Sequence, residues 1–470
     1  MKKMLMALSL SGALLGGSAV VWAEDAVSTP VAEQAVAVSD TVVASTVAVV
    51  AETPAPAEAA PAPATEAKVD TGDTAWILVS TALVLLMTIP GLALFYGGMV
   101  RKKNVLSTMM FSLSAAILVS LIWVIVGYSL AFSGSGAYVG DFAKSMLNGV
   151  AFDALSGTIP ESLFVIFQMT FAIITVAIIS GSIADRMKYS AFMAFIAVWV
   201  ILVYAPITHW VWAADGWLFK AGALDFAGGT VVHINAGVAG LVAAYMLGKR
   251  AGLGRESMAP HNLTLTVIGA SLIWVGWFGF NGGSALGAGA RASMAILVTQ
   301  VAAAAAAFSW LIVERLVRGK ASVLGGASGA VAGLVVITPA AGFVGVGGAL
   351  IMGLIGGVVC FWGITALKRL LKADDALDAF GLHAVGGIVG AILTGVFYSD
   401  EIIKAANVAL APTMIEQLKV QLEGVLATIA YSAIVTFIIL KVIDLVIGIR
   451  VSADDERMGL DLSQHGERIE

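Results

Sequence analysis

Ser162-Leu-Phe-Val-Ile-Phe-Gln-Met-Thr-Phe-Ala-Ile-Ile-Thr-Val-Ala-Ile-Ile-Ser-Gly-Ser-Ile183 runs for 22 residues without one ionisable side chain. As a helix rising about 1.5 Å per residue it covers roughly 30 Å, the thickness of a bilayer's hydrocarbon core. Lipid offers no water to the backbone, so such a run must be a helix that bonds its own N–H and C=O groups. The rest of the chain repeats the theme. Of 470 residues 59% are hydrophobic and 12% charged, whereas a soluble domain carries about 25% charged residues. Ten further apolar runs give spans near 74–100, 105–132, 190–213, 227–248, 262–285, 292–314, 321–341, 343–367, 380–399 and 419–449. The expected fold is an all-α polytopic membrane protein of eleven transmembrane helices. Spans eight and nine are divided only by the turn around Thr338-Pro339-Ala340.

The first 23 residues read as a signal peptide. Lys2 and Lys3 lead an apolar stretch from Met4 to Gly17, and Val21-Trp22-Ala23 offers a cleavage site. A retained signal anchor is the alternative. Residues 24–72 are rich in Ala, Val, Pro, Thr and Glu and read as a disordered or extended periplasmic tether with little to bury. The membrane domain is expected over 73–450 and a C-terminal tail over 451–470. The single cysteine, Cys360, excludes an intrachain disulfide, and the net charge of −5 argues against a nucleic-acid partner.

Loop charge sets the orientation. With the mature N-terminus outside, fourteen Lys and Arg between Arg101 and Lys372 fall in inner loops and five, among them Lys144 and Arg291, in outer ones. That bias is the positive-inside pattern, and it puts the tail in the cytoplasm. An odd count also places a second set of five spans upside down relative to the first, a five-plus-five inverted repeat followed by one long final helix. One local echo supports the repeat: Asp225 precedes His233 in span five, and Asp378 precedes His383 in span ten. Each aspartate suits a helix N-terminus.

Ionisable groups inside lipid are costly and usually functional. His233 and His383 occupy matching places in the two halves. They are either packing residues or two imidazoles lining one pathway, able to relay a proton. A metal site would need further ligands, and only His209 and Glu423 have suitable surroundings, so none is expected. Aromatics form a second set. Phe164, Phe167 and Phe171 make one stripe, Trp277, Phe278 and Phe280 crowd the outer half of span six, and Trp210, Trp212 and Trp217 end span four. An interfacial belt with core packing explains such clusters; so does a vestibule whose ring faces attract a small cation.

Four segments decide between these. Gly91-Leu-Ala-Leu-Phe-Tyr-Gly-Gly-Met-Val-Arg101, Asp225-Phe-Ala-Gly-Gly-Thr-Val-Val-His-Ile-Asn235, Gly276-Trp-Phe-Gly-Phe-Asn281 and Asp378-Ala-Phe-Gly-Leu-His383 closely resemble the Amt/Mep/Rh ammonium transporter family, its bacterial Amt branch above all. The resemblance runs from about residue 74 to the end. It implies eleven helices with an inverted repeat, a homotrimer with one pore per subunit, and ammonium or ammonia transport across the cell inner membrane. It places the external ammonium site on Trp212, Phe171 and Ser284, the gate on Phe171 and Phe280, and the pore on His233 and His383. Asp225, Thr338 and Ser328 fall on supporting positions. The loop from Trp212 to Asp225 is one residue longer than the resemblance leads one to expect, which keeps Trp210 as a rival for the external site.

The tail portions Glu456-Arg-Met-Gly-Leu-Asp461 and Ser463-Gln-His-Gly-Glu467 also resemble the family's. They imply packing under a neighbouring subunit and a PII-type signal protein as a cytoplasmic partner. The alternative is an ammonium sensor that binds ammonium and PII but conducts poorly; about 20 residues follow span eleven, which leaves little room for a fused signalling domain. No cofactor is expected, and no nucleophile motif suggests an enzyme.

Overall fold

A computed structural model describes residues 68–469. The expected signal peptide and nearly all of the expected tether lie outside the described residues. Among these, ten helices are long and apolar enough to cross a bilayer. They are α1 (Thr71–Met99), α2 (Lys102–Phe132), α3 (Glu161–Ile183), α4 (Tyr189–Lys220), α5 (Gly229–Leu247), α6 (Leu263–Gly283), α7 (Ala290–Arg318), α9 (Val346–Leu371), α10 (Phe380–Phe397) and α11 (Met414–Ile447). The eighth expected span is α8 (Val323–Ile337), an apolar helix of only 15 residues. At about 1.5 Å per residue it reaches roughly 22 Å, short of the hydrocarbon thickness. Buried turns over 338–344, closed by Ala340 N–H to Ile337 O (2.9 Å) and Phe343 N–H to Ala340 O (2.8 Å), join it to α9.

Local chemistry fixes where the helices begin and stop. Asp70 caps α1 by accepting from the Asp73 N–H, so the helix starts at Thr71, inside the stretch expected to be tether. Asn262, Ser322 and Thr413 cap α6, α8 and α11 through side-chain oxygens. Gly319 ends α7 at φ 87°, a conformation that favours glycine.

Packing repeats with an offset of five. Helix α3 lies between α2 and α5, as α8 lies between α7 and α10; α2 meets α4, as α7 meets α9. Helices α1 and α6 pack together, α5 meets α10 at the centre, and α11 lies across α4, α5 and α10. Leu78, Ile117, Leu121, Phe308, Leu445 and Val446 are exposed on the outside of the bundle. Water would penalise that surface, and lipid or a protein neighbour would not.

At the end of the bundle that carries Arg101, buried charges tie the loops together. Arg250 is paired with Asp374 (2.8 Å) and Asp185 (3.4 Å), and Arg101 also reaches Asp185 (3.3 Å). The tail docks here on its own chain through two short helices, Ala453–Met458 and Leu460–His465. Glu456 accepts from the Ala251 N–H (2.6 Å) and from Arg450 (2.8 Å), and Asp461 accepts from the Ser107 N–H (2.7 Å). The Leu460 N–H donates to Asn104 Oδ1 (2.8 Å).

Candidate functional site

The site is organised by a carboxylate. Chain leaving α4 turns at Asp225, whose Oδ1 accepts the N–H groups of Gly228 (2.9 Å) and Gly229 (2.6 Å). Its Oδ2 accepts the N–H groups of Thr230 (2.8 Å) and Val231 (3.3 Å) and the Thr230 hydroxyl. A helix has orphan N–H groups at its start, and one carboxylate here satisfies most of them. Gly228, at φ 110°, lets the chain double back onto that carboxylate. The first turn of α5, Gly229–Ile234, is a wide π-type turn that carries His233. With its oxygens so occupied, Asp225 shapes the site and does not offer a free charge to it.

The same residue fixes the vestibule wall. The Asp225 carbonyl accepts from Trp212 Nε1 (2.8 Å), which turns the indole edge-on to Phe171 at 5.7 Å between centroids and 86° between planes. Trp210 points elsewhere: its Nε1 donates to the Tyr138 carbonyl (2.7 Å) and its ring packs on Tyr431 and Trp217. The two tryptophans are separated by their partners, not by their sequence. Trp212, Phe171 and Ser284 all line a cavity of about 490 Å³. The Ser284 hydroxyl donates to the Phe280 carbonyl (2.8 Å), leaving its oxygen lone pairs for an incoming donor.

Beneath the vestibule the rings of Phe171 and Phe280 stack at 4.3 Å and 24°. Both are buried. Next come the histidines: His233 and His383 face each other with 3.2 Å between their Nδ1 atoms. One nitrogen must donate and the other accept, so the pair shares a single proton at that contact. Among the described residues His233 Nε2 has no hydrogen-bond partner. Both imidazoles, with Phe280, Trp277, Ile178 and Val331, line a cavity of about 10 Å³, room for one water-sized molecule.

The sequence marks Trp277 only as part of an aromatic cluster. It stacks on His233 at 5.4 Å and 21°, and its Nε1 donates to Thr338 Oγ1 (2.8 Å). Thr338 in turn donates to the Leu334 carbonyl (2.7 Å), while Asn281 donates to Thr299 Oγ1 (2.8 Å) beside it. Ser328 is buried within α8 and is not among the lining residues of either cavity. His209, weighed as a metal ligand, has both ring nitrogens on backbone carbonyls, Ala131 (2.9 Å) and Gly136 (2.5 Å).

The second half repeats the carboxylate device at a residue the motif did not suggest. Asp375 caps the first turn of α10, accepting from the Phe380 N–H (2.8 Å) and from the Ser182 hydroxyl (2.7 Å). Asp378, expected there, pairs instead with Lys368 (2.6 Å). Asp225 and Asp375 each stand eight residues ahead of their histidine. Like α5, α10 begins with a π-type turn, Phe380–Ala384, that carries its histidine.

Known proteins share this architecture. Residues 75–469 match the profile of the Ammonium Transporter Family. An ammonium transporter of Bacillus subtilis is 50% identical over 399 residues, 84% of this chain and 98% of the relative. The ammonium transporter Amt1 of Archaeoglobus fulgidus is 45% identical over 398 residues, again 84% and 98%. Among solved structures, Mep2 of Candida albicans superposes with a TM-score of 0.77 at 36% identity, covering 85% of this chain and 90% of that one.

Proposed function

This chain belongs to the ammonium transporter family, and from that premise we propose the route by which it carries ammonium across a membrane. Ammonium is a tetrahedral donor without an acceptor. It is captured in the vestibule by the Ser284 oxygen and by the ring surfaces of Trp212 and Phe171, which all line that cavity. Ring faces and a hydroxyl hold a cation without a formal charge that would trap it. The observation that carries the reading is the sequence of stacked phenyl rings and a histidine pair around a cavity of about 10 Å³. A hydrated ion does not fit there, and a bare one would lose its solvation at great cost. Ammonium therefore passes its proton to water in the vestibule before the Phe171–Phe280 stack, and ammonia passes beside His233 and His383. Each imidazole offers it one donor or one acceptor. The shared proton at the Nδ1 contact provides a relay for the one left behind. Ammonium-dependent current across a bilayer holding the reconstituted chain tests this. Current is expected from the wild type and is lost when both histidines become alanine; persistence in that variant would remove the relay.

The Lys and Arg bias supports an inner membrane with the vestibule facing the periplasm and the tail in the cytoplasm. A signal peptide over 1–23 is checked by N-terminal sequencing of the mature protein. The exposed apolar helix faces accommodate a homotrimer, which native mass spectrometry reads directly. The docked tail lies beside the basic loops and offers a platform for a PII-type protein. Pull-down by a chain lacking residues 451–470, if equal to that of the full chain, would count against a tail-dependent contact. The relatives are named as transporters, and this chain moves its substrate without a catalytic step.

A further inference from the structure

Gln168 lies on α3 one turn from Phe164 and one turn from Phe171, so the three share a stripe of that helix. The side chain is only 8% exposed, and its amide oxygen is buried without a hydrogen-bond donor among the described residues. Buried acceptors are seldom left so, because each one carries an unrecovered desolvation cost. The residue lines the 490 Å³ vestibule together with Phe132, Phe164, Trp212 and Ser284. An ammonium ion is about the size of a water molecule, whose share of liquid volume is roughly 30 Å³. The vestibule therefore has room for an ion outside the one held at Trp212. Arg291 lines the same cavity and lies against Phe226 (4.8 Å) and Phe343 (5.0 Å), with Nε donating to the Gly342 carbonyl (3.1 Å). Its positive charge disfavours a cation beside it.

We propose that Gln168 is a ligand of ammonium at an outer station of the vestibule, its Oε1 accepting one N–H while Phe164 and Phe132 supply ring surface. A charged N–H is a stronger donor than water and so the better partner for that oxygen. A neutral amide, unlike a carboxylate, stabilises the ion without trapping it. The station rests on the transport reading above, because it feeds the site at Trp212.

Uptake of methylammonium by proteoliposomes holding the full chain tests it through the split between KM and maximal rate. Gln168→Leu should raise KM about fivefold or more while leaving the maximal rate within about twofold, the signature of lost ground-state binding. Gln168→Glu should lower KM and the maximal rate together, because a charged ligand holds the ion back. A KM for Gln168→Leu equal to the wild type would overturn the station and assign the oxygen to water. If Gln168→Leu fails to fold, Gln168→Met, closer in shape, reads the same split. Wild-type vesicles without saturable uptake would defeat the transport reading itself, and the station with it. Saturable wild-type uptake with unchanged variants defeats the station alone.

Discussion

Asp225 and Trp212 sit 2.8 Å apart yet do different work. Asp225 binds backbone and the Thr230 hydroxyl, so its removal is a folding lesion. Asp225→Ala leaves several N–H groups without an acceptor, at about 1–3 kcal/mol each where no water replaces it. The expected outcome is a sharply lower melting temperature in detergent, or no recoverable protein. Trp212 presents its ring to the vestibule and holds the loop through Nε1. Trp212→Leu should keep the fold and weaken ammonium capture roughly tenfold, the worth of about 1.4 kcal/mol of cation–π attraction. Competition of ammonium against methylammonium uptake measures it. Trp210→Leu, at a ring packed on Tyr431, should leave that competition unchanged.

At the scale of the element, α6 and α8 are joined where Trp277 donates to Thr338. That bond holds the indole flat on His233. Thr338→Val removes the acceptor at nearly constant volume and should cost about 1–3 kcal/mol, read as a lower melting temperature with a matching loss of uptake rate. The helices themselves were legible in the sequence, because bilayer thickness makes apolar length a strong signal. The shortness of α8 was less so. Its apolar run continues through Thr338-Pro339 into buried turns, and hydropathy does not distinguish buried turn from buried helix. In the sequence motif Asp378 is the aspartate nearer to His383, but the cap depends on which carboxylate the loop folds back to the helix start, and that is Asp375. The equal spacing of Asp225–His233 and Asp375–His383 was available as a signal. Gln168 was invisible for another reason. A glutamine in an apolar run reads as packing until its oxygen is seen to lack a donor.

At the scale of the molecule, one end of the bundle is a charge network and the other an open vestibule. Burial pushes the Asp374 carboxyl upward, but hydrogen bonds and charge from Arg250 outweigh it and hold the group below its ordinary value. A lowered carboxylate stabilises the fold above its unfolded value, and that stability is lost as pH falls through the lower folded one. The wild type should therefore melt well above Asp374→Asn at neutral pH. The two should converge as pH falls below about 3.9, the ordinary aspartate value. A gap that persists in acid would assign the network's strength to packing.

On the proposed route ammonium is recognised outside a ring-gated, histidine-lined path and crosses it without its water. The most direct measurement is uptake of radiolabelled methylammonium by proteoliposomes containing the full chain, with unlabelled ammonium and potassium as competitors. Saturable uptake that ammonium suppresses and potassium does not is the predicted result, since potassium has no proton to leave behind and no N–H to offer Ser284. Uptake no greater than in protein-free vesicles, or equal suppression by potassium, would contradict it.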